Sequence, residues 1–333
     1  MVLLVGVILI LVSAFTTTLA RDVLINLGAS VIGVFLTAIV LEPLIERGRR
    51  PEEIIYPEFP HQNYITGLDR CSECVRIMGA WPYVMEDRWR GDFLAALAGA
   101  LRRGVAVQML VLDPTSKAAE QRSLDLDNHV EVSSVISNVL QSLAKFGASL
   151  PESSNANLEI RVYSALPPAR MYRWDNRALS SFFPKGSGLG TEVRHYETNV
   201  TSSLGRFVDE QFDVVWYDAD TQDLAEYLSL TVTLLITGES YGIPYVVLDG
   251  TIFAVAVDLT DNIFRNSITD TVVKLETRPG SSNATLGDHL IIRSVPDQDA
   301  QVAMIQMRFR RKYGVANALS EGFRAVVGLR PPL

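Results

Sequence analysis

Two runs of nineteen residues, Val2–Ala20 and Val23–Leu41, carry no charged side chain, and only Arg21 and Asp22 stand between them. At the rise of an α-helix each run spans roughly 28 Å, close to the hydrocarbon thickness of a bilayer. The reading is a transmembrane helical hairpin over residues 1–45. A cleaved signal peptide followed by a buried helix is the competing reading, but Met1 is followed directly by Val2 and Leu3, with no basic stretch ahead of the apolar run. Arg47, Arg49 and Arg50 follow the second run, and cations clustered beside a span favour the cytoplasmic side. Both termini, and all of the chain beyond the hairpin, are therefore expected on the cytoplasmic face of the inner membrane, with the lipid bilayer as a partner.

Composition agrees with an anchor. A chain of 333 residues that is 48% hydrophobic and 20% charged, with mean hydropathy +0.17, is too apolar for an ordinary soluble enzyme. The net charge of -8 gives no strong signal for nucleic acid, since bulk attraction to a phosphate backbone needs the opposite sign. Two cysteines, Cys71 and Cys74, exclude a disulfide framework and suit a reducing compartment. A single Cys-x-x-Cys lacks the second pair that a four-ligand zinc site requires, so no metal is expected.

Residues 46–63, with Pro51, Pro57 and Pro60, read as an extended linker. Beyond it, "CVRIMGAW" reads as a buried strand, and Phe93–Arg103 carries apolar residues at helical spacing. Gly104 closes that helix, and "VAVQMLVLD" is the next strand, so the unit is β-α-β with a parallel pair. Such units gather ligands at the carboxyl ends of their strands. A helix follows Asp113 and Pro114, and another spans His129–Phe146 with Val130, Val135, Val139 and Leu143 on its apolar face. "LEIRVYSA" is a strand, "ARMYRWDNRALSSFFP" a strand, a turn at Asp175 and Asn176, and a further strand. Residues 203–218 form a helix that turns Leu204, Phe207, Phe212 and Trp216 to the sheet. Residues 64–219 thus make one α/β domain of ordinary size.

The order strand, "LRRGVAVQMLVLDP", helix, "IRVY", "RMYRWDNRAL" and closing "FDVVW" resembles the phospholipase D-like superfamily over about half of the chain. The resemblance implies a His-x-Lys-x4-Asp motif, whose histidine attacks phosphorus while the lysine neutralises the transferring phosphoryl group. None of the four histidines, His61, His129, His195 and His289, begins His-x-Lys. Read after "IRVYSALPPA", the motif falls on Met171 and Arg173, with Ala178 at the acidic position. The scaffold is expected without its nucleophile, and the domain is expected to be inactive as a phosphodiesterase. Asp113, Arg170, Arg173, Asp175 and Arg177 are the candidate ligand residues, since a guanidinium fork at the strand ends can hold a phosphate or carboxylate of a nucleotide-like anion. The alternative is a solvated ion-pair network of these arginines with Asp113, Asp175 and Glu192.

From residue 222 to 333 the texture changes to strands: "LTVTLLITG", "IPYVVLDG", "TIFAVAVD", "TVVKLETR" and "HLIIRSV", with turns at Gly242, at Asp249 with Gly250, and at Pro279 with Gly280. Asp-Gly between apolar alternations is a hairpin signal. A helix over Asp299–Tyr313 and a closing strand "FRAVVGLRP" complete a small antiparallel barrel. The stretch from "GIPYVVLDG" through Arg265 and Asn266 to "VVKLE", followed by "RFRRKYG", resembles the split-barrel flavin-binding proteins of the pyridoxamine phosphate oxidase and deazaflavin-reductase group. That resemblance implies FMN or a deazaflavin as cofactor, with Arg265, Asn266 and Lys274 as binding residues and a homodimer completing the site. A barrel that only packs or dimerises is the other reading.

Arg308, Arg310, Arg311 and Lys312 cluster where a helix ends, which complements its dipole; contact with anionic headgroups is the sharper alternative. "KGSGLG" at 185–190 lacks the order of a phosphate loop and reads as a plain loop. The fold expected is an α/β phospholipase D-like domain plus a small antiparallel split barrel behind a two-helix anchor. The function expected is a membrane-tethered cytoplasmic binding or signalling module that recognises an anionic ligand. A flavin- or deazaflavin-dependent oxidoreductase is the alternative.

Overall fold

The proline-rich stretch after the two apolar runs contains more regular structure than its composition suggests. In the computed structural model, which describes residues 53–126, 131–166, 169–182, 193–234, 238, 240–249, 251–255, 271–275, 290–295, 301–314 and 326–330, it contains β1 (Glu53–Tyr56) and the start of α1 (His61–Arg70). The expected linker over 46–63 is corrected to that extent. Tyr56 donates its hydroxyl to Glu197 at 2.8 Å, so the side chains alternating along this stretch have a sheet to meet. The expected anchor hairpin, the expected loop at 185–190, Arg265 and Asn266 lie outside the described residues. Among the described residues no helix is long and apolar enough to cross a membrane.

The chain continues through β2 (Cys74–Gly79), α2 (Asp87–Arg102), β3 (Ala106–Leu112), α3 (Lys117–Asp125), α4 (Val132–Ser149), α5 (Glu152–Asn155) and β4 (Leu158–Tyr163). Gly104 ends α2 with φ +84, a conformation that disfavours any side chain. β2, β3 and β4 pair in parallel in that order. Met109, Leu110, Val111 and Leu112 of β3 are all buried, as both faces of a parallel strand between helical layers must be. On them pack Leu97 and Leu101 of α2 and Leu140 and Leu143 of α4, in one core. The expected face of α4 is largely as placed: Val139 and Leu143 are buried and Val135 half-buried.

β5 (Ala169–Trp174), β6 (Arg177–Phe182) and β7 (His195–Asn199) add antiparallel strands to the other side of β2, and β8 (Gln222–Asp223) flanks β4. The eight-stranded mixed sheet has the order β1-β7-β6-β5-β2-β3-β4-β8. Between β7 and β8 runs α6 (Ser203–Trp216), begun by the Ser202 hydroxyl accepting the Gly205 N–H at 3.1 Å. Its buried face is Val208, Phe212 and Trp216. Phe207, expected on that face, is exposed, because at helical spacing it falls one residue away from the Val208–Phe212–Trp216 stripe.

After α7 (Leu224–Leu228) come β9 (Leu230–Leu234), β10 (Ser240–Ile243), β11 (Tyr245–Leu248), β12 (Thr251–Val255), β13 (Thr271–Leu275), β14 (Leu290–Val295), α8 (Val302–Tyr313) and β15 (Val326–Arg330). They form a seven-stranded antiparallel sheet of order β10-β9-β13-β14-β15-β12-β11. Flat, its two edges would stand about 29 Å apart. Only Pro244 separates β10 from β11, which brings those edges within about 7 Å, so the sheet curls back on itself. Asp249, with φ 50, turns the β11–β12 hairpin. Gly242, expected in a turn, instead sits inside β10 opposite Thr231, where an added Cβ would meet the Ser229 hydroxyl at 2.8 Å. Both sheets belong to one compact unit, residues 55–333.

Candidate functional site

Asp113 stands just past the carboxyl end of β3 and organises its surroundings. Its Oδ1 accepts the Thr115 N–H at 2.7 Å, the Thr115 hydroxyl at 2.8 Å and the Tyr227 hydroxyl of α7 at 2.7 Å. An Asp-Pro-Thr-Ser sequence favours this turn, because a short carboxylate can accept from the backbone two residues on. Ser116 then caps α3 by accepting the Ala119 N–H at 3.1 Å. The turn is thereby fixed before any ligand arrives.

α8 faces this turn. Ile305, Phe309, Lys312 and Tyr313 are its buried residues, spaced four, three and one apart, which is one stripe of a helix. Arg308 donates to the Thr115 carbonyl at 3.0 Å. Lys312, only 4% exposed, donates from Nζ to the Tyr245 carbonyl at 2.9 Å. Its ammonium lies 3.5 Å from the ring centroid of Tyr245, 4.4 Å from that of Tyr227 and 5.4 Å from that of Tyr313. Between the β3 end and α8 opens a cleft of about 210 Å³ lined by Asp113, Tyr163, Gln222, Tyr227, Arg308 and Lys312, among others.

The electrostatics follow from burial. Enclosure pushes the Lys312 amine down to about 7, with Asp113 pulling partly back. Enclosure and then the neighbouring Asp113 carboxylate hold the Tyr227 hydroxyl well above the usual range for a phenol. The cleft therefore offers one titratable amine, the guanidinium of Arg308, the Asp113 carboxylate already bound to three donors and the carboxylate of Asp220.

The candidates read from sequence do not all converge here. β5 runs antiparallel to β2, with Met171 opposite Met78 and Trp174 opposite Val75. Arg170 thus lies at the same end of the sheet as Asp113, while Arg173 lies roughly 10 Å along the strand and Asp175, with Arg177 across the turn, at the other end, roughly 17 Å from Arg170. Their proposed gathering around one ligand is corrected on that ground. Arg170 is fully buried and stacks on Tyr83 at 3.6 Å from the ring centroid; a Cβ on Gly79 would come within 3.1 Å of its Cγ. Arg173 holds Asp209 of α6 at 2.6 Å and the Asp175 carbonyl at 2.9 Å. Arg177 holds Glu197, its Nε donating at 2.9 Å. These acidic partners are not Asp113, Asp175 or Glu192, and Glu192 lies outside the described residues.

Asp175 has φ 47 and accepts the N–H groups of Ser72, Glu73 and Cys74 and the thiol of Cys71. Burial raises its carboxyl, but these donors outweigh that and set it below its ordinary value. The Cys71 thiol, by burial and by this carboxylate, is pushed up to about 12. No group of three potential metal ligands comes together among the described residues. Of the histidines, His61 stacks on Trp89 and His195 meets Phe59 edge-on at 5.5 Å; His129 and His289 lie outside the described residues. Lys274 pairs with Thr233 through the backbone.

Lys312, Arg308, Tyr227 and Tyr245 were not among the sequence candidates. In sequence the basic cluster near the end of α8 reads only as a complement to the helix dipole, yet Lys312 is buried and Arg311 pairs with Glu120 at 2.6 Å. The signal was present in the phase of the helix, which sets Lys312 on the stripe of Ile305 and Phe309.

No protein-family model matches the sequence, and no curated protein matches it. Among solved structures the chain has a distant match to NucT from Helicobacter pylori, at TM-score 0.29 and 11% identity, over 49% of this chain and 94% of that one. It also matches TrmBL2, described as an archaeal chromatin protein with a novel mode of DNA binding, at TM-score 0.33 and 12% identity, over 59% of this chain. The match spans 64% of the length of TrmBL2.

Proposed function

We propose that this protein is a membrane-tethered, cytoplasm-facing binding module, silent as a phosphodiesterase, whose ligand is a small anion held in the cleft between the end of β3 and α8. The observation that carries the reading is the convergence of the Arg308 guanidinium and the Lys312 amine on one cleft. Its volume of about 210 Å³ is below the ~300 Å³ at which pockets begin to enclose a drug-sized ligand. A carboxylate, a phosphate, or the phosphate end of a nucleotide fits that size. The apolar hairpin of residues 1–45 supplies the tether.

The degenerate phospholipase D-like reading of residues 64–219 rests on the order of its elements. Where His-x-Lys-x4-Asp would fall stand Met171, Arg173 and Ala178. A cation remains in that register, and an apolar side chain stands where a nucleophile is needed. The expected outcome is no hydrolysis of bis(4-nitrophenyl) phosphate by the detergent-purified protein. Calorimetric titration with succinate, sulfate and a panel of nucleoside monophosphates should give binding that Arg308→Ala weakens. Hydrolysis, or binding untouched by Arg308→Ala, would overturn the assignment.

The curl of the seven-stranded antiparallel sheet favours a second reading, a flavin- or deazaflavin-dependent oxidoreductase using the split barrel. A visible absorbance band retained after adding FMN or a deazaflavin, and lost in Arg265→Ala, would put that reading first. A colourless protein under both conditions removes it.

A further inference from the structure

A lysine enclosed by three tyrosines is an expensive way to close a cleft. An ammonium has three protons to donate, and at Lys312 one goes to the Tyr245 carbonyl while the ring faces of Tyr245, Tyr227 and Tyr313 are its other close neighbours. The charged and titratable groups that face it are few. Tyr227 comes from α7, Tyr245 from β11, Tyr313 and Arg308 from α8, Asp113 from the end of β3, and Asp220 from the turn before β8. Asp113 attracts the amine, yet its Oδ1 already accepts from Thr115 and Tyr227. The charged form of Lys312 is thus short of acceptors in the free protein.

We propose that the cleft takes up its anion together with a proton, the ammonium of Lys312 and the guanidinium of Arg308 holding the anion between them. This rests on the reading of the cleft as the ligand site. The step is an acid-base association: the neutral amine accepts one proton from solvent, an N–H bond forms, and the resulting ammonium donates to the incoming oxygen. No other bond changes. Arg308 stays charged throughout and fixes the orientation.

The test is isothermal titration of the full-length protein in detergent with succinate and with sulfate. Both probes keep a constant charge above about pH 7, and they separate a carboxylate preference from a phosphate-like one. Near pH 9 the wild type should take up close to one proton per anion, seen as a heat that depends on the ionisation enthalpy of the buffer. Its Kd should rise about tenfold per pH unit above pH 8. Lys312→Met should bind more weakly with no pH slope. Lys312→Arg should bind with no proton uptake, because arginine is already charged. Lys312→Met is expected to fold, since the Tyr245 carbonyl keeps the Tyr313 hydroxyl at 3.0 Å. Binding with a flat Kd between about pH 7 and 9 and no proton uptake would overturn the linkage and leave the cleft as the site. No binding of either anion at millimolar concentration would overturn the site itself. An NMR titration that finds the Lys312 amine near 10 in the free protein would refute the linkage without reference to any ligand.

Discussion

A primary amine moved from water into a space walled by tyrosines loses the hydration that favours its charged form, and at Lys312 this loss dominates over the pull of Asp113. The native amine titrates at about 7, against 10.5 for an unperturbed lysine. Between those values the unfolded chain holds a proton that the native protein lacks, so this residue makes stability rise with pH through that window. Below about 7 both states are charged and the penalty of enclosure is present in full. Lys312→Met should therefore stabilise the protein more at pH 6 than at pH 9, the gain shrinking by about 1.4 kcal/mol per pH unit across the window. Chemical denaturation at the two pH values checks this, and equal gains would refute it. His195 works in the acid range. Burial, then Arg170 and His61, lower its imidazole to about 4, so as pH falls from 6.5 towards 4 the unfolded state takes a proton that the native state refuses. Stability is lost over that interval, and His195→Gln should flatten the loss while leaving the profile above pH 7 unchanged in shape.

At the scale of elements the β5–β6 turn is the most informative, because one aspartate does two jobs there. Asp175 adopts a left-handed conformation that few non-glycine residues tolerate, and its carboxylate gathers the donors of the Cys71–Cys74 loop. Asp175→Ala loses both and should cost about 2–3 kcal/mol. Asp175→Asn, which tolerates the backbone and keeps an acceptor, should cost less than half of that. Iodoacetamide gives a second readout: near pH 8 the wild-type Cys71 thiol should stay unlabelled, and Asp175→Ala should expose it. Equal stability of the two variants would sink the account. The turn itself was legible from Asp175 and Asn176, as were β2, β3 and β4 from their apolar runs and the β11–β12 hairpin from Asp-Gly. β1 was hidden because three prolines outweighed a four-residue strand, and β10 because Gly242 is as common in turns as in strands. The pairing of Arg173 with Asp209 could not be read at all, since it exists only after β5 has returned antiparallel to β2 and α6 has crossed the sheet. Lys312 could have been found by asking which side of α8 is apolar.

The largest scale is set by α8, which joins the helical layer over the first sheet to the second sheet. Toward the first it sends Arg308 to the Thr115 carbonyl and Arg311 to Glu120, and it receives the Ser137 hydroxyl of α4 on the Arg311 carbonyl. Toward the second it sends Lys312 to the Tyr245 carbonyl and packs Ile305, Phe309 and Tyr313 on Val246 and Phe253. Tyr313 closes the joint: its hydroxyl accepts the Tyr245 N–H at 2.9 Å and lies within donating distance of the Leu228 and Tyr245 carbonyls, at 2.9 and 3.0 Å. A cleft whose walls belong to different sheets keeps its shape only while such a joint does, so ligand affinity and sheet-to-sheet coupling should fail together. Calorimetry of the wild type should show the two sheets unfolding in one transition, consistent with one compact unit over 55–333. Tyr313→Phe leaves the Tyr245 N–H, and the one carbonyl of Leu228 or Tyr245 that takes the single hydroxyl proton, without this partner, a loss of about 1–3 kcal/mol. The transition should then split, the curled sheet melting first, and anion binding should weaken although the lost hydroxyl is spent on the backbone and not on the ligand. Two transitions already present in the wild type would mean that α8 does not couple the sheets, and the cleft would then have to be held open by the β3 turn alone.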